Sequence, residues 1–80
     1  MIKLRDALYK TNDCLQLSKN NIPPINERKI ILKSILQQSD ETIASNLEKY
    51  LEAKDVNTYK RFLIRRLNRE PLAQIIKNKN

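Results

Sequence analysis

The apolar positions of this chain recur at intervals of three and four residues. Leu4, Ala7, Leu8, Thr11, Cys14 and Leu15 fall on one face of a helix predicted over about residues 2 to 18. Cys14 reads as core on that face, with a reactive thiol as the alternative. Asn20, Asn21, Pro23 and Pro24 end the element, because Pro24 disfavours helical geometry at Pro23 and neither proline donates an amide hydrogen bond. A loop is predicted over about residues 20 to 25. Asn26 is then the predicted cap of a second helix, with Glu27 favourably placed against its dipole. Ile30, Ile31, Leu32, Ile35 and Leu36 make that helix apolar over more than half its circumference, which predicts it as the buried centre of a bundle.

Ser39, Asp40 and Glu41 form a good helix start, and Ile43, Ala44 and Leu47 supply its apolar stripe. From Glu48 to Lys54 helix propensity is respectable and no stop is written. The pattern leaves open whether the helix breaks near Leu47 or runs on through Tyr50 and Leu51. Asp55 is the predicted cap of a further helix in which Tyr59, Phe62, Leu63 and Leu67 recur at helical spacing, with Val56 near its start. Its other side carries Lys60, Arg61, Arg65, Arg66 and Arg69. Pro71 suits the first turn of a short last helix containing Leu72, Ala73, Ile75 and Ile76, and a polar tail follows Lys77. The chain has no glycine, hence none of the common hairpin turns. The expected fold is all-α: a single domain over residues 1–80, built as a compact bundle of four to five short helices.

Sixteen Lys and Arg against nine Asp and Glu give a net charge of +7, which favours acidic partners such as nucleic acid, anionic lipid or acidic proteins. Lys, Asn and Ile are abundant together, and their AT-rich codons make genome composition a second source of the basicity. The one cysteine cannot form an intramolecular disulfide, so the cytoplasm is the expected compartment. The longest apolar run, Ile30-Ile31-Leu32, is too short to span a bilayer, and the N-terminus lacks the apolar core of a signal peptide. No membrane partner is expected.

Absences narrow the chemistry further. Without glycine there is no phosphate-cradling loop and no glycine-rich adenosylmethionine turn. Without histidine, and with one cysteine, there is no zinc site and no Ser-His or Cys-His dyad. The nine carboxylates are scattered, with Glu48 and Glu52 one turn apart among lysines. No catalytic, cofactor-binding or metal-binding residue is expected. Arg61, Arg65 and Arg69 stand at i, i+4 and i+8, a ridge whose guanidinium groups could pair with carboxylates or phosphates. The plainer reading is a solvated helix end whose cations favour the C-terminal dipole.

One segment is more specific: Arg65-Arg66-Leu67-Asn68-Arg69-Glu70-Pro71-Leu72-Ala73-Gln74-Ile75-Ile76. It resembles the end of the N-terminal domain of the release-factor glutamine methyltransferases, the HemK/PrmC family. That family has two arginines at a helix end, then Gly-Glu-Pro, an aliphatic residue, Ala, usually an aromatic, two mostly apolar residues and a glycine. Arg65, Arg66, Glu70, Pro71, Leu72, Ala73 and Ile75 fit. Upstream, Pro24, Glu27 and Ile30-Ile31-Leu32 are similar to the family's Pro-x-x-Asp-Ala-Glu-Leu-Leu-Leu helix, so the resemblance covers nearly the whole chain. Departures stand at Arg69 and Lys77, where the family has glycine, at Gln74, where it has an aromatic, and at Arg28-Lys29, where it has Ala-Glu. Asn21-Ile22-Pro23-Pro24-Ile25 is only superficially similar to the family's Asn-Pro-Pro-Tyr motif and reads as an interhelical loop.

The resemblance implies a substrate-docking role. In that family the helical domain helps recognise a class 1 peptide chain release factor. A separate adenosylmethionine-dependent catalytic domain, with no counterpart in these 80 residues, methylates the glutamine of the factor's Gly-Gly-Gln motif. Implied partners are therefore the release factor and the methyltransferase domain. Arg61, Arg65, Arg66 and Arg69 are the candidate partner-binding residues. Glu70, beside Pro71, reads as a structural device at a helix junction. The alternative is a small basic nucleic-acid-binding module, against which Tyr9, Tyr50, Tyr59 and Phe62 are few and mostly assigned to the core.

Overall fold

The computed structural model describes residues 1–15, 17 and 22–77. These residues form six helices: α1 (Leu4–Tyr9), α2 (Thr11–Leu15), α3 (Ile25–Leu36), α4 (Asp40–Ser45), α5 (Ala53–Leu67) and α6 (Leu72–Lys77). Among them there is no strand, only an isolated antiparallel bridge between Lys3 and Tyr50. The compact all-helical globule is the expected class. It has one helix more than the spacing suggests, because the first predicted helix is two.

The division falls at Lys10, with φ −122° and ψ 43°. Two hydroxyls explain it. Thr11 Oγ1 donates back to the carbonyls of Ala7 and Leu8, and Tyr59 Oη donates to the same Ala7 carbonyl at 3.0 Å. Side-chain donors thus compete for the backbone acceptor that a continuous helix would use. The apolar face survives the break, since Leu4, Ala7, Leu8, Thr11 and Leu15 are all buried. Cys14 packs at its margin, half-buried. Residues 16 and 18 of the predicted first helix, and 20 and 21 of the predicted loop, lie outside the described residues.

Two predicted caps are corrected. Helix α3 starts one residue before Asn26, with extended Pro24 at the N-cap and its carbonyl accepting from the Arg28 amide at 3.0 Å. Proline's fixed φ sets the entry angle, so no side-chain cap is used. Helix α5 likewise starts before Asp55, with Glu52 at the N-cap, and Asp55 sits in the first turn, where its charge favours the dipole. Ser39 does cap α4, accepting from the Thr42 amide at 3.2 Å.

Helix α4 ends at Ser45, which settles the open stretch after Leu47. The following segment is drawn to the N-terminus instead. Leu4 N donates to Lys49 O at 2.9 Å, Arg5 N to Leu47 O at 2.9 Å and Leu51 N to Ile2 O at 2.8 Å. Long-range backbone pairing here overrides local helix propensity.

Helix α3 packs on α5, α6 and α1, with Ile31 and Leu32 fully buried, as its broad apolar face predicts. Ile30 turns to the surface, and so does Ala44 of the α4 stripe. Tyr59, Phe62 and Leu63 from α5, Ile75 from α6 and Ile43 from α4 complete the core. Each such side chain contributes about 1.5–3 kcal/mol of burial free energy. Arg28 adds a polar tie, donating from Nε to the Leu8 carbonyl at 3.0 Å and from Nη1 to the Pro23 carbonyl at 2.7 Å.

Candidate docking surface

The α5 to α6 junction gathers the candidate arginines, and its backbone explains their placement. After Leu67 the Arg69 amide bonds to the Arg66 carbonyl at 3.0 Å and the Glu70 amide to the Arg65 carbonyl at 3.3 Å. This pair of bonds is a Schellman turn, which requires a left-handed residue one position past the cap. Arg69 is that residue, with φ 68°. Pro71 then stands just before α6, and its carbonyl accepts from the amides of Gln74 and Ile75 at 3.0 and 3.2 Å.

The four arginines therefore divide. Arg65 turns back on Glu70, with Nε and Nη2 donating to Oε2 at 2.9 and 2.8 Å, and its guanidinium lies 5.7 Å from the centre of the Phe62 ring. Arg66 donates from Nε and Nη2 to the two carboxylate oxygens of Glu27 at 2.9 and 3.4 Å, and from Nη1 to the Glu70 carbonyl at 3.1 Å. The hydrogen bonds and charge of Glu27 raise the Arg66 pKa above its ordinary value. Both side chains are committed to the fold.

Arg61 and Arg69 are exposed and make no ion pair among the described residues. They do not form one helical ridge with Arg65, because α5 ends before Arg69. Half-buried Lys60 and exposed Lys77 are unpaired in the same sense, and extend the positive surface over α5 and α6. Glu70 is the joint the sequence suggests, holding Arg65 by its carboxylate and Arg66 by its carbonyl. The partnership of Glu27 with Arg66 is not legible in the spacing. What the sequence does show at Glu27 is an acid in a helix first turn, at the place of the acid in the family's Pro-x-x-Asp helix.

In the segment that joins α4 to α5, Glu48 takes Arg5 at 2.8 Å and Lys3 at 3.2 Å. The hydrogen bonds from Arg5 and Lys3 hold the Glu48 carboxyl below its ordinary range. Burial, then Asp6 and Asp13, push the Cys14 thiol up, away from the thiolate a nucleophile needs. Among the described residues no three of Asp, Glu, Cys and His come together to hold a metal, and no helix is long and apolar enough to cross a membrane.

The family model that matches this chain is that of the PrmC N-terminal domain, over residues 6–76, which includes α2 to α5 entire and the joint at Glu70. Neither the curated proteins nor the solved structures yield a match.

Proposed function

The chain belongs to the PrmC N-terminal domain family, and from that premise we propose that it docks a class 1 peptide chain release factor for N5-methylation of the Gly-Gly-Gln glutamine. The family match carries this reading, and the division of the arginines gives it a physical form. Arg65 and Arg66 lock the end of α5 to α3 and to the α6 joint. Arg61, Arg69, Lys60 and Lys77 then stand free on a rigid base, where they attract and pair with acidic groups of the partner. A surface of this kind raises the association rate and loses strength as salt rises.

Methyl transfer itself belongs to the adenosylmethionine-dependent part of such enzymes. The helices described here have neither a glycine nor a strand-to-helix turn to seat that cofactor, and no step is assigned to them. Their contribution is to hold and orient the substrate protein. A basic nucleic-acid module would need rings beside its cations. Of the four aromatics expected mostly in the core, Tyr59 and Phe62 of α5 are buried, whereas Tyr9 and Tyr50 are 57 and 55 % exposed, with Lys3 over the Tyr50 ring. The arginine-bearing helix α5 itself therefore offers no exposed ring on which a base could stack.

Calorimetric titration of the chain with its class 1 release factor at low salt tests the proposal. Saturable binding is expected, weakened by Arg61→Glu and Arg69→Glu and by added salt. Absence of binding at low salt overturns it.

A further inference from the structure

The segment joining α4 to α5 leaves a backbone edge open beside a cavity. The Lys3–Tyr50 bridge is closed by Leu4 N on Lys49 O at 2.9 Å and by Leu51 N on Ile2 O at 2.8 Å. Peptide groups alternate in direction along extended chain, so those of Tyr50 face away from the N-terminal segment. Neither its N–H nor its C=O bonds to a described residue. Such an edge is a template for an added strand.

Lys49, Tyr50 and Leu51 also line a cavity of about 390 Å³, large enough for an aliphatic side chain and its neighbouring peptide groups. Leu4, Ile35 and Leu36 give it apolar walls. Gln38 lines it too, and the Oε1 of its carboxamide is buried without a hydrogen-bond partner among the described residues. A buried acceptor left in this condition is costly until a donor reaches it. A peptide group meets the need whichever way round the carboxamide sits, since it offers both an N–H and a C=O. Of the charged side chains that line it, Lys54 pairs with Glu52 at 3.7 Å and Asp55 stands in the first turn of α5. Lys49 is exposed and without an ion pair among the described residues, and its charge complements a carboxylate.

We propose that this edge and cavity bind an extended segment of the release factor: its backbone pairs with Tyr50, an aliphatic side chain enters between Leu4, Ile35 and Leu36, and a peptide group satisfies Gln38. Lys49 faces an acidic residue of the same segment. The identity of the partner rests on the docking reading; the site itself rests on the open edge, the cavity and the orphaned carboxamide.

The cavity takes in Lys54 and Asp55 in the first turn of α5, whereas Arg61 lies roughly 9 Å further along the helix and Arg69 beyond its end, so residue-by-residue amide-shift mapping distinguishes the two surfaces. With isotopically labelled chain and unlabelled release factor, shifts are expected at the Tyr50 amide and the Gln38 side-chain amide. Gln38→Leu is expected to weaken binding about tenfold while leaving the thermal midpoint unchanged or raised, because leucine removes the orphaned group. Lys49→Glu, at an exposed position, is expected to weaken binding with the fold intact. Binding at full affinity by both variants, with shifts confined to the Arg61 to Arg69 end, overturns this site and leaves the docking reading standing. No binding at all overturns the docking reading and the assignment of this partner with it.

Discussion

Arg66 and Glu27, 39 positions apart, meet through two hydrogen bonds that join the last turn of α5 to the first turn of α3. Their side chains are 31 and 24 % exposed, so the pair is largely shielded from solvent. The third donor of the same guanidinium reaches the Glu70 carbonyl, which brings the α6 joint into one network. The residue pair Arg65-Arg66, part of the segment that most specifically resembles the family, is thereby explained first as architecture. Both arginines fix the surface on which Arg61 and Arg69 are presented.

A double-mutant cycle tests that arrangement. Glu27→Gln and Arg66→Gln each lower the thermal midpoint, Arg66→Gln by more, because it also gives up the Glu70 carbonyl. Residues in one network couple, so the double variant is expected to lose less than the sum of the two. Strict additivity in thermal or urea melts would show that the pair contributes nothing jointly.

Arg69→Gly is expected to stabilise the fold. A non-glycine residue at φ 68° carries steric strain that glycine does not, and the gain is partly offset by glycine's greater freedom in the unfolded chain. A net gain of about 0.5–1 kcal/mol follows, seen as a midpoint higher by roughly 2–8 °C. Arg69→Val, β-branched at the same backbone geometry, is expected to lower it. A glycine variant that melts below the parent contradicts the Schellman assignment.

Arg69 also shows where sequence reading reaches its limit. The arginine standing at the family's glycine position is legible; that the position is left-handed is not, since only the Schellman bonds at Arg65 and Arg66 impose it. The centres of the faces are legible from local spacing, and Leu4, Ala7, Leu8, Ile31, Leu32, Tyr59, Leu63 and Ile75 are all buried, whereas Ile30 and Ala44, on the same predicted faces, are exposed. Features set by distant partners are not. The break at Lys10 involves a hydroxyl 52 positions from its acceptor, and the extended segment at residues 49–51 is bonded to the N-terminus. Within the candidate surface, the spacing picks out the arginines and the role of Glu70. The partners that leave Arg61 and Arg69 free, and the open edge at Tyr50, belong to tertiary structure alone.

Ser39→Ala is expected to cost about 1 kcal/mol. Ser39 Oγ satisfies the Thr42 amide and lies 3.0 Å from the Thr42 hydroxyl, and α4 is only six residues long. Ser39→Asp keeps an acceptor at the cap and should retain most of the stability. Equal urea midpoints for the parent and the alanine variant would remove the cap from the account.

Tyr59 gives the fold a predictable response to alkali. Its ring is fully buried, its hydroxyl donates to the Ala7 carbonyl at 3.0 Å, and burial pushes its pKa from the ordinary 10 up to about 12, against the smaller opposing effects of Thr11 and Arg28. Between these values the unfolded chain releases the phenolic proton while the folded chain keeps it, so unfolding is favoured as pH rises. The contribution is whole below about pH 10, declines through about pH 12 and amounts to roughly 2–3 kcal/mol. Tyr59→Phe isolates it, because the two proteins differ in no other ionisable group. At pH 7 to 9 the variant is expected to be about 1 kcal/mol less stable, for want of the hydrogen bond. As pH rises past about 10 the parent should lose stability faster, and the order of the two should reverse before about pH 12. Parallel urea-stability curves across that range would show that the Tyr59 hydroxyl is not held in the protonated form by the fold.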